Sequence, residues 1–157
     1  MRISLLLAAA AACLATACAS VSSTPYQPAG MSDKYGYAEE QIEHNKMRVT
    51  FSGNERTDVA TVKKYVLYRA AEVTLNRGYD FFILADRGVT TDSTFQSKRG
   101  PGPRFGGGAE FEEKASHEVM VDIAMFHGFK PPVLPNAYDA REIQRNLGSS
   151  IERPMVS

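Results

Sequence analysis

Few side chains in this chain have the types and the spacing that chemistry requires. The histidines are His44, His117 and His127. His117 and His127 fall on one face of a predicted strand, but ten residues between them span roughly 33 Å of extended chain, too far to share a metal ion without a bend. We therefore expect no zinc or copper site and no cofactor.

The carboxylates and serines form no recognisable catalytic set. The acidic residues expected near strand ends are Asp80, Asp86, Glu118 and Asp122. No two of them have a spacing that commits both to one site, as acid–base cleavage of a glycoside requires. The serines of the same region, none in a nucleophile-elbow context, are Ser93, Ser97 and Ser116. The run GPGPRFGGG lacks the Lys-Ser/Thr of a P-loop. We assign no catalytic residue and expect a protein that is not an enzyme.

Arg69 and Glu72 form a charged pair with a helical spacing on the predicted long helix. Residues three apart lie on the same face of a helix and can form an ion pair. The favoured interpretation is a structural ion pair beside the core, and the alternative is a pair that binds a ligand.

The first residues, MRISLLLAAAAACLATA, have the three parts of a signal peptide. Arg2 supplies a positive charge, an apolar run follows, and Ala15 and Ala17 place small side chains before a cut. The apolar run is too short to span a bilayer. Residues 1–17 are therefore predicted to be a signal peptide.

Cys18 directly follows this predicted cut. The stretch LATAC resembles the lipobox of bacterial lipoprotein precursors, although Leu14 lies four rather than three residues before the cysteine. The resemblance implies cleavage between Ala17 and Cys18 and acylation of Cys18, for example with palmitate. Cleavage by an ordinary signal peptidase is the alternative, and Cys13 is a weaker lipidation candidate. Both cysteines lie in the export region, so the mature domain has no internal disulfide.

The elements around these residues follow from their patterns. Residues 18–43 are rich in Ser, Pro, Gly and Tyr and are predicted to be a flexible tether, with docking of Tyr35–Tyr37 on the domain as the alternative. Alternation over Met47–Phe51 predicts a strand. A stripe of valines and alanines predicts a helix over Asp58–Arg77, with Thr57 as its N-cap and Gly78 as its stop.

The next strand is predicted over Tyr79–Ala85, parallel to the first strand through a right-handed crossover. Residues 87–113 are predicted to be a long Gly/Pro-rich loop or a splayed hairpin tip, and the alternative is a ligand-facing lid or a partner-contact loop. Alternation over Lys114–Phe126 predicts a strand antiparallel to Tyr79–Ala85. The Pro-rich run Phe129–Pro135 is expected to lie along a sheet edge.

A short C-terminal helix, capped by Asn136 or Asp139, should bury Ala140, Ile143 and Leu147. Residues 149–157 are predicted to be a frayed tail. Together these elements predict one α+β domain over residues 44–148. We expect a two-layer sandwich with a small mixed sheet of three to four strands, one long helix on a face and the short C-terminal helix beside it.

The residue pattern also resembles a known group of proteins. The quoted segments are FSGN with Thr57, then LYRAAEVT, then GYDFF. They resemble the F-x-G-N-x-x-T, L-Y-R-A-A-E-L-T and G-Y-D-x-F pattern of a family of small, uncharacterised alphaproteobacterial lipoproteins. Val73 stands where that pattern usually has Leu. The family carries no known activity, so the resemblance implies an envelope location and no catalytic residue.

The expected function combines these inferences. The 18 basic and 18 acidic residues balance, so charge gives no reason to expect nucleic acid as a partner. By resemblance to Gram-negative sorting signals, Ala19 after the cysteine favours the outer membrane, with the domain facing the periplasm. We expect a binding or scaffold module held to the membrane by its N-terminal lipid, whose partner is an envelope protein or a cell-wall component. The alternatives are an envelope hydrolase with its site under the Gly-rich loop and a structural spacer.

Overall fold

The computed structural model describes residues 22–30, 34–98 and 110–154, and in this part of the chain an α+β fold is observed, as predicted. The elements in chain order are β1 (Gly36–Glu43), β2 (Lys46–Gly53), α1 (Val59–Asn76), β3 (Phe81–Lys98), β4 (Glu110–Phe126), β5 (Ala137–Asp139) and α2 (Ala140–Leu147). Neither helix is both long and apolar enough to cross a membrane, within the residues described.

The strands form one sheet in the order β1-β2-β4-β3-β5, and each neighbouring pair is antiparallel. The predicted antiparallel pairing of Tyr79–Ala85 with Lys114–Phe126 is confirmed. The prediction of a mixed sheet with three or four strands is wrong, because the sheet of the described residues has five strands and its neighbouring strands are antiparallel. β2 and β3 do run in the same direction, as a crossover through α1 requires, but β4 lies between them and pairs with both. Periodicity identifies a strand and its buried face, but it does not identify the neighbour.

The core lies between one face of the sheet and α1. Alternation turns every second residue of β2 and of the second half of β4 towards the helix. The buried residues contributed by these two strands are Met47, Val49, Phe51, Val119, Val121, Ile123 and Met125. The facing side of α1 buries the predicted stripe together with two aromatic side chains, and its residues are Val62, Tyr65, Val66, Tyr68, Ala70, Ala71 and Val73.

The sequence predicts the C-terminal end of α1 correctly and its N-cap residue incorrectly. Asp58 is the N-cap, since its carboxylate accepts a hydrogen bond of 2.8 Å from the Thr61 amide. The prediction that Thr57 caps the helix is wrong, because the Thr57 hydroxyl is buried and donates to Asn54 instead. At the other end Gly78, at φ +83°, stops the helix as predicted.

The described parts of residues 87–113 are strands of a β-hairpin, so the prediction of a loop is wrong there, and a hairpin is what the structure has. β3 continues to Lys98, and β4 already begins at Glu110. Only residues 99–109 of that range lie outside the described residues. A strand pair that extends beyond the helix-covered part of a sheet needs no apolar face, so apolar alternation gave no signal for it.

The prediction of a flexible tether over residues 18–43 is wrong for the residues that are described. Residues 22–30, which we call the N-terminal strap, pack on the domain, and the Tyr26 side chain is only 5% exposed. Pro28 bridges to Tyr37 in β1, with hydrogen bonds of 2.8 Å from the Tyr37 amide to Gln27 and from Ala29 back to Tyr37. Docking of the Tyr35–Tyr37 region, the alternative, is what the structure has.

The C-terminal helix is confirmed, and the frayed tail is wrong over residues 149–154. Asp139 caps α2 by accepting a hydrogen bond of 2.8 Å from the Glu142 amide. After a 3-10 turn, Ile151 is buried in the core. The next residue, Glu152, accepts a hydrogen bond of 2.7 Å from the Tyr26 amide. The tail and the N-terminal strap therefore hold each other against α1. Residues 155–157 lie outside the described part.

Candidate functional site

The Arg69–Glu72 pair has a structural explanation. Its ion pair, at 2.8 Å, forms as the spacing predicts. Glu72 also accepts a hydrogen bond from the hydroxyl of Tyr26, and Arg69 bonds to Glu39 in β1. The Arg69 guanidinium lies 4.0 Å from the centre of the Tyr37 ring. The pair therefore attaches the N-terminal strap and β1 to α1, which supports the structural interpretation.

The protonation states of this group are held in place. Burial raises the pKa of the Tyr26 hydroxyl far above its usual value, and the neighbouring Glu72 carboxylate raises it further. Burial lowers the pKa of Arg69, but its hydrogen bonds to Glu72 and Glu39 outweigh that effect and raise it. A Tyr26 that stays neutral and an Arg69 that stays charged are suited to a structural contact rather than to proton transfer.

His117 and His127 each lie near a candidate carboxylate, but at different places along the sheet. Among the residues with described side chains, no three of the His, Cys, Asp and Glu residues gather where they could hold a metal ion. His44 lies in the turn between β1 and β2. His127 follows β4, where its ring is tilted by 32° against the Tyr79 ring with centres 4.6 Å apart, and its Nδ1 lies 4.0 Å from the Asp80 carboxylate. Asp122 forms a bidentate ion pair with Arg48, with N–O distances of 2.8 and 3.0 Å. The side chains of three candidates lie outside the described part: Asp86, Ser93 and Ser97.

A small cleft of about 110 Å³ lies where β2 ends beside β4. Ser52 donates a hydrogen bond of 2.6 Å to the Glu118 carboxylate there. His117 and Ser116 also line the cleft. Successive residues of a strand point to opposite faces, so His117 and Glu118 leave β4 in opposite directions. The cleft brings together three of the predicted candidates, Ser116, His117 and Glu118. The serine that bonds to the Glu118 carboxylate is Ser52, which the sequence did not single out.

A larger groove of about 240 Å³ lies between α1 and the sheet. The described residues that line it are Lys63, Val66, Leu67, Leu84, Val119, Val121 and Tyr138. Its walls are apolar, with one lysine and one tyrosine as polar groups. The lining residues that the structure describes suit an apolar group and form no catalytic arrangement.

Among the residues whose side chains the structure describes, the two most exposed large apolar ones lie in the connection between β4 and β5, residues 127–136, which we call the distal loop. Phe129 is 99% exposed and Val133 is 82% exposed. The prediction that Phe129–Pro135 lies along a sheet edge is wrong for these side chains, because the loop turns at Pro131–Leu134 and holds them in solvent. The preceding residue of β4, Phe126, adds further exposed apolar surface.

Both ends of the distal loop are tied to the domain. Near its start, the Asp80 carboxylate accepts hydrogen bonds from the Gly128 amide at 2.8 Å and from Arg141 at 2.9 Å. The Gly128 bond, followed by the Arg141 bond, lowers the pKa of Asp80. At its end, Asn136 donates to the Leu84 carbonyl at 2.9 Å. The apolar side chains are therefore presented on an anchored loop, which limits the entropy lost when a partner binds.

Sequence reasoning did not identify the distal loop as a surface. Its signal is the run FKPPVLP, in which large apolar residues stand among prolines with neither helical nor strand periodicity. Such residues cannot be assigned to a buried face, and large exposed apolar patches often mark interaction sites.

No protein-family model matches this chain, and the searches of curated proteins and of solved structures found no match either. The resemblance to the lipoprotein family therefore stays a prediction. The signal peptide and Cys18 lie outside the described residues and stay predictions as well.

Proposed function

We propose that this protein is a lipid-anchored module of the outer membrane that binds an envelope protein in the periplasm and catalyses no reaction. The observation that carries the proposal is the distal loop, which presents Phe129 and Val133 almost fully to solvent on an anchored backbone. A side chain that is exposed in this way contributes nothing to folding, so a partner that covers it is the simplest physical use for it.

The position of the distal loop supports this role. β4 pairs with β2 so that Ala124 lies opposite Lys46 and His117 lies opposite Gly53. The distal loop follows Phe126 and is therefore at the Lys46 end of the sheet. The N-terminal strap begins at the other end, where Asn54 donates to the Ser22 carbonyl at 2.7 Å. A lipid on Cys18 would hold that end at the membrane and leave the distal loop facing the periplasm.

The chemistry of the loop defines the partner. Aromatic side chains that enter a pocket dominate the energy of many interfaces, and we assign that role to Phe129. Lys130 lies 3.8 Å from Glu142, so the nearby cation is already matched within the domain. The partner is therefore expected to offer an apolar pocket rather than a strongly acidic surface.

Site-specific photo-cross-linking in cells tests the proposal. A photoreactive amino acid replaces Phe129, and a control places it at Arg145, which is also exposed but lies on α2. We expect one discrete protein adduct from position 129, absent from position 145 and reduced by Val133→Ser. The same adducts from both positions would contradict the assigned surface, and no adduct from position 129 would favour the structural-spacer alternative.

Mass spectrometry of the membrane fraction tests the anchor separately. The expected result is a mature chain that begins at an acylated Cys18. An unmodified soluble chain would remove the lipoprotein part of the proposal and leave the binding surface to be judged by the cross-linking result.

The envelope-hydrolase alternative rests on one observation, the 2.6 Å hydrogen bond from Ser52 to Glu118 in the cleft beside His117. Under the binding proposal, the purified protein should not hydrolyse p-nitrophenyl acetate above the buffer rate. Turnover that disappears in Ser52→Ala, and persists in the neighbouring Ser116→Ala, would support the hydrolase instead.

A further inference from the structure

We propose that the outer part of the β3–β4 hairpin, residues 92–98 and 110–116, lies against the surface of the lipid bilayer. We call this part the hairpin arm. The proposal rests on the lipid anchor at Cys18 and adds a second contact between the protein and the membrane, made by the folded domain itself.

The hairpin arm projects beyond the rest of the sheet. At the level where β2 ends, Gly53 pairs with His117, and His117 pairs with Thr91 of β3. Beyond that level, within the described residues, β3 and β4 pair with each other alone, from Asp92 opposite Ser116 to Lys98 opposite Glu110. Six residue steps at about 3.4 Å give the hairpin arm a length of roughly 20 Å.

The chain enters the domain at the base of the hairpin arm. Asn54, which directly follows β2, donates to the Ser22 carbonyl at 2.7 Å. Its own amide donates to the Thr24 hydroxyl at 2.9 Å, and the Thr24 amide donates to the Thr57 hydroxyl at 2.8 Å. The first described residues are therefore fixed at the same end of the sheet from which the hairpin arm projects.

The connection to the lipid is shorter than the hairpin arm. Cys18 lies four residues before Ser22, and four residues span at most about 14 Å when fully extended. An acylated Cys18 lies at the bilayer interface. Ser22 therefore lies no farther than about 14 Å from that interface. The end of the sheet that carries the arm is thus held near the bilayer, and an arm of roughly 20 Å reaches the headgroup layer.

We expect the hairpin arm to contact a layer of phospholipid headgroups, and this contact does not require charged lipids. The two strands of the hairpin arm contain two more acidic than basic residues, so they give no attraction to anionic lipids. The contact follows from the short covalent connection and should form on zwitterionic vesicles and persist at high salt.

Tryptophan fluorescence tests the contact, because the chain has no natural tryptophan. Phe95→Trp places a probe in the hairpin arm, and Phe129→Trp places a matched probe in the distal loop at the other end of the sheet. The full acylated chain is reconstituted into vesicles of phosphatidylcholine that carries a nitroxide on its headgroup, and this nitroxide quenches nearby tryptophan. We expect strong quenching of the Phe95→Trp chain, unchanged at high salt, and little quenching of the Phe129→Trp chain.

Gln96→Trp repeats the arm measurement if Phe95→Trp does not fold, as judged by circular dichroism. Insertion of a twenty-residue Gly/Ser linker after Ser20 should reduce the quenching, because the connection then no longer holds the arm at the bilayer. Chains that float with the vesicles but leave the arm probe unquenched would overturn this inference and keep the anchor. Chains that are not acylated and do not float would overturn both.

Discussion

Replacing Tyr26 with alanine is expected to destabilise the whole domain, although the sequence assigns this residue to a flexible tether. The Tyr26 ring packs against the rings of Tyr37, Tyr65 and Tyr68, with centres 4.9, 5.6 and 5.3 Å away. Its hydroxyl donates to the Glu72 carboxylate. The substitution therefore removes a buried aromatic ring and one partner of a charged hydrogen bond.

The expected loss is large compared with the stability of a small domain. Truncation of a buried aromatic side chain to alanine typically lowers the free energy of unfolding by about 3–5 kcal/mol. For a domain of this size, that loss corresponds to a fall in Tm of roughly 10–20 °C. Tyr26→Phe keeps the ring and loses only the hydrogen bond to Glu72, which is expected to lower the free energy of unfolding by about 1.5–3 kcal/mol.

Thermal unfolding of the mature chain with Cys18→Ser, followed by circular dichroism, measures both effects. Tyr35→Ala is the matched control, because Tyr35 belongs to the same region of the chain but is less buried than Tyr26. We expect the Tm to decrease in the order wild type, Tyr35→Ala, Tyr26→Phe and Tyr26→Ala. An unchanged Tm in Tyr26→Ala would show that the N-terminal strap is a tether after all.

Three further predictions concern single positions. Gly78 has a φ of +83°, and nothing lies within 4 Å of an added Cβ, so Gly78→Ala should lower the free energy of unfolding by about 1–2 kcal/mol through backbone strain alone. Gly148→Ala, at a φ of −54°, should not lower it. Urea titration compares the two variants. Gly53→Ala places a Cβ 2.8 Å from neighbouring side chains and should lower the free energy of unfolding by about 1–3 kcal/mol in the same assay. Because the pKa of Asp80 is lowered on folding, its stabilisation is present above the unfolded-state value of about 3.9 and is lost as the pH falls through the folded-state pKa. The Tm of the wild type should therefore fall more steeply with acid than that of Asp80→Asn.

An alkaline titration gives a second measure of the Tyr26 environment. The pKa of Tyr26 is raised on folding, so the folded state holds a proton that the unfolded state releases above a pH of about 10. The stabilisation is complete below that pH and decreases as the pH rises above it. The useful pH range runs from about 9 to about 11, roughly one unit on either side of the unfolded-state pKa. Over this range the Tm of Tyr26→Phe should fall less than the Tm of the wild type. Equal slopes would indicate that the phenol is not held in its neutral form.

The sequence by itself determined the features that depend on near neighbours in the chain. The alternation of β2 and β4, the valine stripe of α1, the stop at Gly78 and the cap at Asp139 are local patterns, and each predicts one element and its buried face. The Arg69–Glu72 ion pair was predictable for the same reason, because a helix places residues three apart on one face.

The tertiary structure alone decided how these elements combine. β4 lies between β2 and β3 because pairing over a long sequence separation depends on the whole sheet, which no local pattern records. Tyr26 lies in a segment without periodicity, yet it fills a space enclosed by α1 and the C-terminal tail. The exposure of Phe129 was hidden for the opposite reason. An apolar residue in a sequence is expected to be buried, and only the packed fold shows that nothing in the described part of the chain covers it.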